Sequence, residues 1–356
     1  MGKTETITCE YLRANDIFAD VVNMTLYSGK NVVKAENISE LDASYMSVIP
    51  DMAVEKDSVA SESFTKRAGN KNAHTHVRKY RDILKMVKLN GSDEGTEYCV
   101  RLISGIEQQT NVHYAMPVRD MLYDALEYAE QVKSKSKENS VIEAGMSEKR
   151  KLSHGEFLSG MRKGDKLIPV VTIVVYFQPE EWDGPKSLHE MLDFTGMPDE
   201  MIKRIPDYEM ILLQPSDYEE TFMGKLKSTL PVVLGLLKRA DSKSEFKNYV
   251  DEHSDALEKL SYDAAAVINE YCNMGMFIPE EKTGEKEVIN MCKAVEEIRE
   301  EGRIEGERMG EKVGEKRGKI IGKIMAYMDM GVSIEEIAGK LHVTIGEVKQ
   351  IAASMR

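Results

Sequence analysis

The chain is poor in cysteine, and its four residues, Cys9, Cys99, Cys272 and Cys292, stand far from one another. No CxxC or Cys/His pair occurs, which argues against a zinc ribbon or a disulfide-stapled scaffold and suits a reducing compartment. Long apolar runs are missing as well. The longest, at residues 167–177, has 11 residues, about half a membrane span, so no membrane segment is expected. The N-terminal stretch MGKTETITCE lacks an apolar secretory core. A cytoplasmic location is therefore expected. Positive charge is short overall: 48 Lys and Arg face 61 Asp and Glu, a net charge of −13. Affinity for nucleic acid rests on cations that displace counterions from phosphate, so an acidic chain is a poor non-specific binder.

What remains is the composition of a core-forming protein. Hydrophobic residues make up 42% and charged residues 31% of 356 residues, and the mean hydropathy is −0.40. That length suits two domains and a small third. The acidic average hides one basic block. Residues 66–88 hold eight basic side chains, among them Arg78, Lys79, Arg81, Lys85 and Lys88, against the single acid Asp82. Such a block reads either as a solvated loop or as a surface for an anionic partner.

Apolar spacing organises the chain. Leu12, Ile17, Phe18, Val21, Val22 and Leu26 recur at helical intervals over residues 11–27, and an irregular stretch follows to residue 76. Two strands are expected at residues 80–89 and 97–109, joined by a turn of about seven residues that starts at Asn90-Gly91. Residues 116–133 read as a helix with Pro117 in its first turn. A polar linker over 133–153 precedes the β-branched run at 167–177, a strand buried on both faces. The order helix, strand, strand, helix, central strand is that of an α/β core.

The C-terminal third differs. Residues 219–300 are mainly helical by pattern. Gly302, Gly306, Gly310, Gly314, Gly318 and Gly322 then recur every fourth residue among Glu, Lys and Arg. On a helix that row drifts about 40° per step. It reads as a helical stalk that pairs with a second helix, or else as a low-complexity linker. Residues 324–356 have helix-turn-helix spacing, with Ser333 and Thr344 as caps. Lys349 is the one basic residue of the last helix, so the module reads as DNA-contacting or as a packing element.

The chemistry-bearing residues lie in the hairpin. Glu107 and Gln109 are two apart and share a strand face, and Asp82 on the neighbouring strand brings a second carboxylate toward Glu107. Two close carboxylates repel unless a cation neutralises them. A divalent ion with oxygen ligands, Mg²⁺ above all, meets that need and prepares water for phosphodiester hydrolysis. The other reading is an ion-pair network with Arg81 or Arg101. His113 and His189 each stand alone and read as structural or surface residues.

Several blocks carry a resemblance: Asn15-Asp16-Ile17-Phe18-Ala19-Asp20; Arg81-Asp82-Ile83-Leu84; Gly105-Ile106-Glu107-Gln108-Gln109-Thr110; and Tyr114-Ala115-Met116-Pro117-Val118-Arg119 through Tyr128-Ala129-Glu130-Gln131. In that order, over about residues 11–215, they resemble the recombination-promoting nuclease/putative transposase (Rpn) family of the PD-(D/E)XK nuclease superfamily. The resemblance implies an α/β, restriction-endonuclease-like core with a mainly helical C-terminal region. It further implies a metal-dependent DNA endonuclease with Asp82 and Glu107 as Mg²⁺ ligands. Gln109 stands where the superfamily carries lysine, and a glutamine can only hydrogen-bond. Asp20, Asn23, Arg119, Tyr123 and Gln131 take supporting roles. Arg78, Lys79, Arg81, Lys85 and Lys88 would draw in DNA.

The expected organisation is a nuclease-like domain over 1–218, a helical region over 219–300, the stalk over 301–323 and the small module over 324–356. A homo-oligomer, a dimer or higher, is expected through the C-terminal helical region. The alternative to an enzyme is a nuclease-like scaffold that binds DNA or protein without cutting.

Overall fold

A computed structural model of the chain describes residues 3–41, 44–48, 76–80, 82–93, 96–145, 153–276 and 288–354. The chain divides into two compact units, Met1–Met291 and Cys292–Arg356. The first is a mixed α/β unit built on one sheet.

Two helices open it, α1 (Lys3–Arg13) and α2 (Asn15–Leu26). The single helix expected over residues 11–27 is thus two, broken at Ala14, whose extended backbone (φ −61°, ψ 133°) cannot continue a helix. Every residue from Ile17 to Met24 is buried, as befits a helix apolar nearly all round. Strand β1 (Ile38–Glu40) follows, then β2 (Ser44–Val48) and β3 (His76–Tyr80), which pair with each other. Next come β4 (Ile83–Asp93) and β5 (Thr96–Gln109), a long hairpin whose register closes at Asp93 opposite Thr96. The strands therefore take up five of the seven residues expected as a turn, and the other two, 94 and 95, lie outside the described residues.

Helix α3 (Met116–Gly145) crosses to the parallel strand β6 (Val170–Tyr176), with the short α4 (His154–Ser159) between, and β7 (Ile211–Leu213) closes the edge. The sheet order is β1-β4-β5-β6-β7, with the first two pairings antiparallel and the last two parallel. The linker expected at 133–153 is helical as far as Gly145. Its polar sequence gives no apolar stripe, but Asn139 is buried, donating to the Gly160 carbonyl at 2.9 Å and to Asp165 Oδ2 at 2.8 Å. These bonds hold the extra turns where periodicity is silent.

Alternation sorts the hairpin into two faces. Lys85 reaches helix α1, so Ile83, Lys85, Val87, Ser104 and Ile106 share the α1/α2 side. Leu84 and Ile103 pack with Val170 and Tyr128 on the α3 side. Helices α5 (Leu230–Leu237), α6 (Lys243–Glu252) and α7 (Tyr262–Tyr271) complete the unit. Helix α7 packs on α1, where the Thr8 and Tyr271 hydroxyls lie 3.2 Å apart. Helix α5 is buried throughout, and Gly235 lets it approach α6: a Cβ there would sit 2.0 Å from the Tyr249 hydroxyl.

The second unit holds most of α8 (Met291–Asp329), then α9 (Ile334–Leu341) and α10 (Ile345–Ala353). Ser333 and Thr344 cap α9 and α10 as the spacing predicts, each accepting a backbone N–H three residues on. Ile324, Ile337, Ala338 and Val348 form the buried core of the unit. Among the described residues no helix is long and apolar enough to cross a membrane.

Candidate functional site

Strand β4 begins at Ile83 opposite Ile106, so Asp82 stands level with Glu107 one rung beyond the pairing. The Gln108 amide has passed the last rung, and Asp82 Oδ2 accepts it at 2.9 Å in place of a strand carbonyl. Helix α1 holds the same residue from its other side: Arg13 donates to the Asp82 carbonyl at 3.3 Å, and the Cys9 thiol lies 3.8 Å from it. Burial pushes the Asp82 carboxyl above its usual value, outweighing the Gln108 amide and the Arg119 charge, which both act to lower it.

Glu107 is fully buried on the α3 face. Its Oε2 accepts from Arg119 Nη2 at 3.1 Å, and the Arg119 side chain is itself about one third exposed, at 31%. Arg119 Nε donates to the Tyr123 hydroxyl at 3.1 Å, one helical turn further on. Burial acts to lower the Arg119 pKa, but the Tyr123 bond and the charges of Glu107 and Asp82 outweigh it, so the shift is upward. The Tyr123 phenol is also raised, first by burial and then by the Glu107 charge. One guanidinium therefore stands in the field of both carboxylates. Gln109 follows two residues after Glu107 on the same face and is 9% exposed.

The residues expected at the site thus fall into two groups. Asp82, Glu107, Arg119 and Tyr123 form one electrostatic cluster, with Gln109 beside it on the same strand face. The other three supporting residues serve the fold. Asp20 is buried, and its Oδ2 accepts the Lys227 and Ser228 amides at 3.1 and 2.8 Å. Asn23 clamps the chain through Val32 N, Val33 N and Val33 O. Gln131 brackets Ile168 through that residue's N–H and carbonyl.

Lys85 is a correction. It was expected at a DNA surface, yet its side chain is fully buried on the sheet face opposite Glu107. Its ammonium contacts Asn15 Oδ1 at 2.6 Å and Glu40 Oε1 at 2.7 Å, and the Arg13 carbonyl also accepts from it. Residue 85 alternates inward with Ile83 and Val87, so the charge has to be satisfied inside. Lys88 is exposed. Arg78 and Lys79 lie on β3, but their side chains, like Arg81 as a whole, lie outside the described residues.

Sequence reasoning missed Arg13, Cys9 and the Gln108 amide as supports of Asp82. About 70 residues separate α1 from Asp82, and no local spacing could announce the contact. The two stray histidines hold no cluster: His113 is exposed, and His189 bonds the Ile205 carbonyl at 2.9 Å.

The donor set suits a hard cation, since two carboxylates and an amide oxygen are oxygen ligands. Among the described residues, however, no group of three or more His, Cys, Asp or Glu gathers to hold a metal. An ion here would keep several waters, as Mg²⁺ does. No family model, curated protein or solved structure matches the chain.

Proposed function

We propose that the protein is a metal-dependent DNA endonuclease of the PD-(D/E)XK type, acting in recombination, mobile elements or defence. The observation that carries this reading is that the Asp82 and Glu107 carboxylates both act on one guanidinium, Arg119, which bonds Glu107 at 3.1 Å. The element order lends support: helices, an antiparallel hairpin, a crossover helix and a parallel strand accord with the core that the family resemblance implies.

In this reading Asp82 and Glu107 hold the cation, which supplies a water of lowered pKa and polarises a phosphoryl oxygen. Gln109 orients the attacking water by hydrogen bonding. Arg119 exchanges its carboxylate for the scissile phosphate, which a guanidinium grips through two parallel bonds. Tyr123 keeps that guanidinium aimed while it changes partner. Lys88, with Arg78, Lys79 and Arg81, draws the duplex toward an otherwise acidic molecule. A homo-oligomer would let two sites address two strands.

A second reading is a nuclease-like scaffold that binds without cutting. The full burial of Glu107 against Arg119 and the glutamine in place of lysine favour it. Plasmid nicking in Mg²⁺ separates the two. The wild type is expected to nick and to stop in chelator, while Glu107→Gln, checked by melting to be folded, loses at least about tenfold in rate. Equal cutting by both proteins rejects the site. Absence of cutting by the wild type across divalent ions and salt favours the scaffold.

A further inference from the structure

Helix α8 is segregated by charge. Residues 296–311 carry seven glutamates against three arginines, and residues 312–323 carry five basic side chains against one glutamate. The first half is net negative by four and the second net positive by four. The same helix leaves large apolar side chains in solvent: Met309 is 56% and Val313 62% exposed.

Positions 302, 309 and 316 and positions 306, 313 and 320 follow seven-residue spacing and fall on one helix face. That face reads Gly302, Gly306, Met309, Val313, Lys316 and Ile320. Above Gly302 and Gly306 the surface is open, with nothing within 4 Å of a Cβ built there. Toward its C-terminal end the face runs into a groove of about 520 Å³ between α8 and α10, lined by Val313, Lys316, Ile320, Ile324, Glu347 and Ile351 among others.

We infer that this face is occupied by the same helix from a second copy of the chain, laid antiparallel about a twofold axis beside Glu311. Charge complementarity fixes the direction. An antiparallel pair sets each acidic half on a basic half, whereas a parallel pair would stack like on like. In that register Met309 meets Val313 of the second copy, and the bare backbone at Gly302 and Gly306 receives its Ile320 and Lys316. Glu305 flanks the seam beside Lys312 and Lys319 of the other chain. Two like-charged approaches remain, Lys312 toward its own copy across the axis and Arg303 toward Arg317, and the second is relieved because Arg303 is already held between Glu300 and Glu307 at 2.5 Å each. The glycine cost, about 0.8–1 kcal/mol each in a lone helix, is offset by the close approach it permits. The groove beside α10 then takes the acidic half of the neighbouring helix, and twofold symmetry fills both grooves alike.

This pairing stands whether or not the core cuts DNA, and its test does not use activity. Full-length Gly306→Cys and Lys316→Cys chains, both changed at exposed positions, are mixed and oxidised, with the wild type and its own four cysteines as control. Antiparallel pairing yields a disulfide only between the two different variants, because two copies of residue 306 would lie about 15 Å apart along the axis. Sedimentation equilibrium should give a dimer whose Kd rises several-fold between about 50 and 500 mM NaCl. Lys312→Glu/Lys319→Glu should weaken the dimer, and adding Glu305→Lys should restore much of the loss. A monomer at tens of micromolar, or disulfides joining 306 to 306, overturns the proposal.

Discussion

The two units treat the same ion pair in opposite ways. In the sheet unit Arg119 meets Glu107 at 3.1 Å with the carboxylate fully buried; on α8 Arg308 meets Glu305 at 2.9 Å with both side chains more than half exposed. Distance barely differs, and consequence differs greatly. A buried charge has left water behind, so removing its partner strands it, whereas an exposed pair exchanges one well-solvated arrangement for another. The sheet unit keeps Glu107, Lys85 and Asp20 inside at the cost of placing a partner for each. The C-terminal unit spends its charge on a surface where direction along the helix matters more than any single contact.

Arg119→Ala is the severest way to break the contrast. It takes the guanidinium away from the fully buried Glu107 carboxylate, and a loss of about 3–5 kcal/mol is expected. Denaturant melts of Glu107→Ala and Arg119→Ala, with the double variant to close the cycle, measure it. A cost below about 1 kcal/mol for both single changes would mean that burial does not set the value of the pair.

Asp82→Asn probes a smaller effect with a definite sign. The folded carboxyl has a raised pKa, so the folded state binds its proton more tightly than the unfolded chain does. Its contribution is fully present below the unfolded value, about 3.9, and is lost as pH rises through the folded one. An asparagine keeps an oxygen for the Gln108 amide and carries no charge. The variant's melting temperature should therefore gain on the wild type between pH 3.5 and pH 7. A gap that stays flat or reverses across that window would show that burial does not penalise the charge at residue 82.

How much of this was legible in the sequence follows from which forces act locally. The β-branched run of β6 and the stripe of α3 announce themselves, because each element's own period states which side is buried. The break at Ala14 and the turns of α3 past Lys133 do not, since the contacts that decide them are tertiary, as at Asn139. Lys85 is the instructive failure. Counting charges in residues 66–88 makes it a surface cation, while the alternation Ile83, Lys85, Val87 assigns it to the buried face of the same strand. Face outranks net charge there. The supports of Asp82 from α1 had no such signal, because a contact across about 70 residues leaves no periodic trace.

The mildest change sharpens the other half of the contrast. Arg308 lies on the face of α8 turned away from Gly306 and Val313, and its bond to Glu305 is an exposed i,i+3 pair. Arg308→Ala loses about 0.2–0.5 kcal/mol of pairing and gains back a little helix propensity, so its stability should stay within about 0.5 kcal/mol of wild type. The two contributions nearly cancel because both partners keep their water. If thermal melts instead recorded a loss comparable with that of Arg119→Ala, side-chain exposure would not be what separates the two pairs, and Arg308 would have to contact something beyond its own helix.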